Sequence, residues 1–423
     1  MSLAGRTVVV VGAGYEGKRR SLQRLHDLGV TLVVVDEPGH WSSQLVDDGI
    51  AARWVAAPIT GDPDIDATAA LVALAAAGVK PDAVLTFWED SICTAVRVAD
   101  GFALPCNPPA AVDSARSKVR MRERSTAFGL PTPRARRVRS LDELYAATEF
   151  VGFPAVVKPE FGASAMGCVR VDTIEQLPAI YSLVRGVVTP AADGIFRMGN
   201  DLIVEEYLDG VEFDVDLVMH EGDCVFSSVS QNWPTNEPSF QETGLHCPPD
   251  HDKRAVRRLV DLAVVHAQRF GLHMGVLHIE GKCTSRGPRI VEINCRLGGG
   301  RIHEFVERVW GVDLVEAQVR ASLGLAPALA PSRKPRCGIA NVMVHAHRSG
   351  HLASEAVPIA RPDQALWWQV DNAAEPGEPV HGPESVFATV LADVNIAAAD
   401  VDTARALAAR VLAHPPVIAH AGS

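Results

Sequence analysis

No two of the eight cysteines stand in a Cys-x-x-Cys pair. A zinc ribbon or a dithiol redox site needs such spacing. Scattered thiols read most simply as free cysteines of a cytoplasmic protein. A zinc site built from His246, Cys247, His278, Cys283 or Cys295 has no ligand spacing behind it. No apolar run approaches the ~20 residues of a membrane helix. The chain enters a strand at Thr7 with no charged leader before it, so neither membrane nor export is expected. Positive charge is also short, with 40 Lys and Arg against 51 Asp and Glu and a net charge of −11. Nucleic acid is therefore not the expected partner. Internal repeats are absent as well.

What is present is ordinary globular composition, 47% hydrophobic and 22% charged over 423 residues, with room for two or three domains. A strand at 8–11, a glycine turn at 12–17, a helix to about 28 and a strand at 32–35 begin a parallel α/β pattern, continued by a strand at 83–87 and a helix at 90–99. The run Leu104-Pro105-Cys106-Asn107-Pro108-Pro109 breaks that pattern and sets a first domain at 1–109. A helix over 110–128 follows. Antiparallel hairpins are then expected, pairing 154–158 with 168–171, 202–208 with 212–219, and 275–283 with 289–295. A long stretch at 229–250 separates the last two, and loops of that length tend to be functional. Helices at 251–270 and 304–323 complete a domain over 110–325, and a Pro- and Ala-rich linker covers 326–335. The segment 336–423 reads as a small antiparallel sheet (338–345, 365–370, 385–394) closed by a helix at 403–414.

Three glycine-rich elements carry chemistry. Gly12-Ala13-Gly14-Tyr15-Glu16-Gly17 with Asp36 fits a dinucleotide fingerprint, and equally a purely structural tight turn. The same residues nearly make a phosphate loop, Gly-x4-Gly-Lys, a reading demoted by Arg19 where that motif needs Ser or Thr. The second element is a strand ending at Lys158 and Pro159, a small-residue loop spanning Gly162, Ala163, Ser164, Ala165, Met166 and Gly167, and a returning strand. Small residues let backbone N–H groups approach phosphate, and Lys158 can neutralise its charge. In the third, the backbone around Glu206, Tyr207 and Leu208 offers hydrogen-bonding groups to an adenine edge, and Glu212 can accept from ribose.

The stretch 291–296 places Val291, Ile293 and Cys295 on one strand face and Glu292, Asn294 and Arg296 on the other. If Cys283 pairs with Arg289 across a five-residue turn at 284–288, Glu280 falls opposite Glu292. Such carboxylates have Cβ atoms roughly 5 Å apart and repel. A divalent cation between them converts that cost into a site, with Glu280, Glu292 and Asn294 as ligands.

Taken in order, Lys118, Lys158 with the 162–167 loop, Glu205 to Glu212, and the Glu280, Glu292, Asn294, Arg296 set resemble the ATP-grasp enzymes over roughly residues 1–325. Within them, Gly275 to Glu280 and Glu292 to Gly299 look most like L-amino-acid ligases and carnosine synthases. The resemblance implies a multidomain α/β and α+β chain. A Rossmann-like N-terminal domain would precede ATP-grasp central domains, with a nucleotide lid at about 150–210 and a small C-terminal antiparallel sheet domain. It implies ATP and magnesium, with manganese an alternative, and substrates that are a carboxylate and an amine, amino acids or small peptides. Lys118 and Lys158 would hold phosphates, Glu205 to Leu208 adenine, and Glu212 ribose; Arg296 would steady the acyl phosphate. No general base is obvious. Glu242, Glu89 and His303 are candidates. Three departures stand out: Ser117 precedes Lys118 where Asp is common, Cys295 replaces a frequent Pro, and Gly300 is smaller than the bulky residues near there in some dipeptide ligases, which implies a roomier amine pocket. A nicotinamide-dependent oxidoreductase using the N-terminal glycines and a non-catalytic nucleotide-binding protein are the competing readings. A homodimer is a candidate assembly, being common among cytosolic enzymes.

Overall fold

The computed structural model describes residues 2–385 and 387–419. Residue 386, inside the expected 385–394 strand, and residues 1 and 420–423 of the expected terminal domains lie outside the described residues. Four short strands, three of them rich in aliphatic residues, open the chain: β1 (Thr7–Val11), β2 (Thr31–Asp36), β3 (Arg53–Ala56) and β4 (Ala83–Leu85). They pair in parallel in the order β3-β2-β1-β4. Val8, Val9, Val10 and Val34 are fully buried, as a parallel sheet covered on both faces requires.

A second sheet is antiparallel, β5-β8-β6-β7, made of β5 (Ala135–Val138), β6 (Ala155–Pro159), β7 (Val169–Val171) and β8 (Leu202–Glu206). Helices Leu141–Val151 and Leu177–Val187 cover it, burying Leu144, Val151 and Val184 against Val157 and Val204.

The third sheet has eight antiparallel strands: β9 (Val211–His220), β10 (Asp223–Asn232), β11 (Gly244–Cys247), β12 (Gly275–Thr284), β13 (Gly287–Asn294), β14 (Gly338–His345), β16 (Trp367–Asn372) and β18 (Val390–Ala398), in the order β13-β12-β9-β10-β11-β14-β18-β16. Helix Lys253–Phe270 packs under it, presenting Leu259, Ala263, Ala267 and Phe270 at helical spacing. Asp252 caps its start, and Gly271 ends it in the left-handed region at φ 76°. A small sheet of β15 (Gly350–Leu352), β17 (Pro379–Val380) and β19 (Ile418–Ala419) lies beyond. Among the described residues no helix is long and apolar enough to cross a membrane.

Four expectations change. First, the 202–208 and 212–219 runs do not form a hairpin: β8 and β9 belong to different sheets, and residues 207–210 carry the chain between them. Second, the 336–423 segment does not build a separate main sheet; β14 pairs with β11, so the large sheet continues through it. Third, the helix expected over 110–128 is two, Pro109–Arg116 and Lys118–Ala127, because Ser117 is extended and caps the second through Arg120 N–H (3.1 Å). Gly311, at φ 73°, likewise divides 304–323 into Ile302–Trp310 and Leu314–Ser322. Fourth, β10 and β11 pair inside the expected 229–250 loop and shorten it to residues 233–243.

Candidate active site

A cleft of about 390 Å³ lies between the β5–β8 sheet and one face of the large sheet. Its floor comes from β9, β12 and β13. Glu280 stands opposite Glu292 on one side and opposite Asp214 on the other; one row along, His278 stands between Asn294 and Asp216. Residues directly opposite on antiparallel strands share a face, so these side chains form one polar patch.

The expected Glu280–Glu292 pairing occurs by another route. The turn is Ser285-Arg286, with Thr284 opposite Gly287 and Cys283 opposite Pro288, one residue away from the expected register. A bulge between Glu280 and Gly281 absorbs the difference. Its second effect is on Val291, expected in the core, which lines the cleft while Ile290 and Ile293 face inward.

The charges on this patch are unequal. Burial tends to raise the Glu292 carboxyl, but Lys118 Nζ at 2.9 Å holds it below the usual range. For Glu280, burial and then the facing Glu292 and Asp214 carboxylates push the carboxyl well above its ordinary value. Burial also lifts Asp214 to about 6, although His278 and the Asn232 amide (3.0 Å) counter it. Burial would lower His278, but Asp216 at 2.9 Å outweighs it and brings the imidazole to about 9. The Glu280–Glu292 pair is therefore one cation short on the Glu280 side. Among the described residues no three His, Cys, Asp or Glu side chains form a metal-holding group. The pair nevertheless fits a hard divalent ion taking two carboxylates, the Asn294 amide, and phosphate or water oxygens.

Above the floor, Lys158 at the end of β6 lies 2.8 Å from Glu205 Oε2. Arg122 clasps the same carboxylate through Nε (2.7 Å) and Nη2 (3.1 Å) and donates to the Ile290 and Val291 carbonyls. Burial raises this carboxyl, and Arg122 with Lys158 overcomes it to bring Glu205 down to about 2. Its carboxylate thus fixes Lys158 and is not free to meet a base. Glu206 is likewise spent, on Arg134 (2.8 Å) and Arg286. The Tyr207 N–H goes to Pro154 O (3.1 Å), whereas the Leu208 N–H has no acceptor among the described residues. Glu212 pairs with Lys282 at 3.3 Å on the cleft wall.

Gly162, Ala163, Ser164, Ala165 and Met166 line the cleft roof. Ser164 and Ala165 hold φ of 53° and 55°, a left-handed conformation that residues other than glycine adopt at a cost. Gly167 does not line the cleft. It sits at the loop base, where a Cβ would come 3.2 Å from Val188.

Arg296 leaves β13 and meets Glu89 of the N-terminal unit, Nε to Oε2 2.6 Å. Arg116 approaches the other Glu89 oxygen at 3.4 Å. Glu89 is therefore a buried tie between two cations and not a free base. His303 does not reach the cleft, and burial lowers it to about 4. Of the three candidates only Glu242 lines the cleft. Its side chain is exposed within it; the enclosing protein, then Asp214 and Glu212, push its carboxyl to about 7.

The N-terminal glycine loop faces protein. A Cβ on Gly14 would lie 2.7 Å from the Trp88 ring, and one on Gly12 would strike Ser91. Asp36 accepts from Ala13 N–H (2.9 Å) and Ser42 Oγ (3.1 Å) and is 2% exposed. Gly12 and Gly14 thus serve a tight turn packed on Ser91 and Trp88, and the Asp36 carboxylate is taken up by protein groups.

Sequence reasoning missed Asp214, His278, Asn341 and Asp393 as cleft residues. The alternation Glu212, Asp214, Asp216 in β9 was a readable signal for the first. Nothing local marks Asn341 or Asp393, which arrive through long-range pairing.

Residues 151–304 match the family model of the ATP-grasp domain. Carnosine synthase 1 of Gallus gallus is 34% identical over 374 residues, 84% of this chain and 39% of that protein. Carnosine synthase 1 of Homo sapiens is 31% identical over 355 residues, 81% of this chain and 42% of that protein. The chain thus spans less than half the length of these relatives. A crystal structure of L-amino acid ligase from Bacillus licheniformis shares the fold, with a TM-score of 0.79 over 99% of both chains at 18% identity.

Proposed function

We propose that this chain, whose residues 151–304 match the ATP-grasp domain model, is an ADP-forming carboxylate–amine ligase acting on amino acids or small peptides. The observation that carries this reading is the half-buried Glu280–Glu292 pair, short of one cation, beneath a strained small-residue loop and beside two buried lysines. That arrangement suits a metal-bound triphosphate better than any uncharged ligand.

In this reading the N-terminal unit is the Rossmann-like pre-domain, and adenine stacks near Tyr207 with its edge on the free Leu208 N–H. Glu212 accepts from ribose, and Lys118 and Lys158 sit at the phosphates. Glu280, Glu292 and Asn294 would hold magnesium, which when bound offsets charge on the β and γ phosphates. The 162–166 loop covers the phosphates and excludes water. A substrate carboxylate oxygen attacks the γ-phosphorus and ADP leaves, giving an acyl phosphate. An amine nitrogen then attacks the carbonyl carbon, inorganic phosphate departs with the C–O bond electrons, and the nitrogen loses a proton. Arg296 places positive charge where the carbonyl oxygen becomes an oxyanion during the amine attack. Glu242, shifted to about 7, is suited to take the proton at neutral pH.

Coupled ADP release over a panel of amino acid pairs, with product masses measured, tests the proposal. ADP formation requiring both a carboxylate and an amine is the expected result. ATP binding with no acid-dependent turnover across the panel would overturn it.

A further inference from the structure

Past Arg296 the cleft continues into an end that none of the steps above uses. Its wall is the C-terminal part of the large sheet, Asn341 and Met343 on β14 and Asp393 on β18, with Gly300 and Tyr15 closing it. Asn341 is 5% exposed and donates its amide to Asp393 Oδ1 and to Asn395 Oδ1 (3.0 Å). Asn395 donates to the same Asp393 oxygen at 3.4 Å. One carboxylate oxygen is thereby fixed. The other, Oδ2, has no hydrogen bond or ion pair among the described residues, and a Cβ on Gly300 would stand 3.8 Å from it.

The nearby cations are already engaged. Arg301 makes a two-pronged contact with Asp371 (2.6 and 2.7 Å) and reaches Glu304 (2.6 Å). Arg20 divides itself between Glu304 (3.6 Å) and Asp371 (3.4 Å). A largely enclosed carboxylate aimed into a cleft without a counter-ion is costly unless a ligand supplies one. Burial, partly countered by the Asn341 amide, pushes its carboxyl to about 6, as an unpaired carboxylate should respond.

We propose that Asp393, oriented by Asn341 and Asn395, is the specificity site for a cationic nitrogen carried by a substrate. Two sources share that chemistry: the free ammonium of an amino acid whose carboxylate is activated, and a cationic side chain on the amine substrate. The inference rests on the ligase reading for the identity of the cleft. Gly300 lacks a side chain, which leaves the approach to Oδ2 open, and Asn341 withdraws Oδ1 into the sheet so that only one oxygen is presented.

The test measures binding by calorimetry to the full chain with ADP and magnesium present, alongside ADP release with ATP. Glycine, β-alanine and 4-aminobutyrate are compared with acetate, propionate and butyrate. In the second arm L-lysine, L-arginine and L-histidine are compared with L-leucine. The wild type should favour the cationic member in one arm, which identifies the source. Asp393→Asn should weaken that member at least tenfold, leaving the uncharged analogue and ADP binding unchanged. Retained ADP binding reports that the variant is folded. Should Asp393→Asn not fold, Asp393→Glu moves the charge one methylene into the cleft and should shift preference toward the shorter cation. No wild-type preference for cationic compounds in either arm, or equal loss of charged and uncharged members in Asp393→Asn, overturns the proposal. Selective binding without ADP release would remove the ligase reading and leave the subsite standing. ADP release insensitive to Asp393→Asn would do the reverse.

Discussion

Glu280 on β12 and Glu292 on β13 face each other across a hairpin, and of the two only Glu292 has a lysine, Lys118 at 2.9 Å. The two residues are equivalent as candidate metal ligands and opposite as structural elements. Replacing either by glutamine should lower turnover by roughly 10²–10³-fold. Their effects on the metal-free fold should differ in sign. Glu280→Gln relieves the burial cost and the carboxylate repulsion that raise this carboxyl, and should stabilise by about 1 kcal/mol. Glu292→Gln strands a buried lysine and should cost about 1–3 kcal/mol. Thermal melts in chelator, read beside turnover in magnesium, check both. Destabilisation of equal size in the two variants would contradict the pairing.

That hairpin also shows where reading a sequence succeeds and where it stops. The alternation of Glu292, Asn294 and Arg296 follows from strand geometry alone, and it was legible. The turn was not: a two-residue Ser285-Arg286 turn and a bulge at Glu280 and Gly281 replace a five-residue turn, and their offsets cancel at the acids. The extra residue is Val291 on the edge strand β13, opposite a β12 that pairs regularly with β9, and local spacing does not encode it. For the same reason Asp209-Gly210 imitated a hairpin turn between β8 and β9, although the two strands pair elsewhere. Lys118, Lys158 and the 162–166 loop were readable as cleft residues because their signals are local. Asp393 was not, since it comes beside Asn341 only through the β14–β18 pairing.

Arg296 reaches Glu89 at 2.6 Å, so its guanidinium is aimed from the N-terminal unit. Arg296→Ala should reduce kcat by roughly 10²–10³-fold, with little change in the ATP concentration needed for half-maximal rate. Glu89→Gln keeps the shape and removes the charge that positions Arg296. Its kcat should fall by about 10-fold, in the range typical of outer-shell partners. Initial rates against ATP and against the carboxylate substrate separate the two effects. An equal loss of ATP affinity in Arg296→Ala would place that side chain at the nucleotide instead.

Glu205 makes the fold itself sensitive to acid. Although burial opposes ionisation, Arg122 and Lys158 draw its carboxyl from 4.5 to about 2 in the folded chain. The unfolded chain therefore binds this proton more tightly than the folded one. The stability this carboxylate contributes is complete above pH 4.5 and is lost as pH falls through about 2. Its size is on the order of 3 kcal/mol. Glu205→Gln should therefore destabilise strongly at pH 7 and progressively less below pH 4.5, where the wild type surrenders the same interaction. Urea unfolding of both proteins at pH 7, 5 and 3 reads the difference directly. If the gap between them is as wide at pH 3 as at pH 7, the glutamate is acting by shape alone, and the Arg122–Glu205–Lys158 bridge is not what secures Lys158 over the cleft.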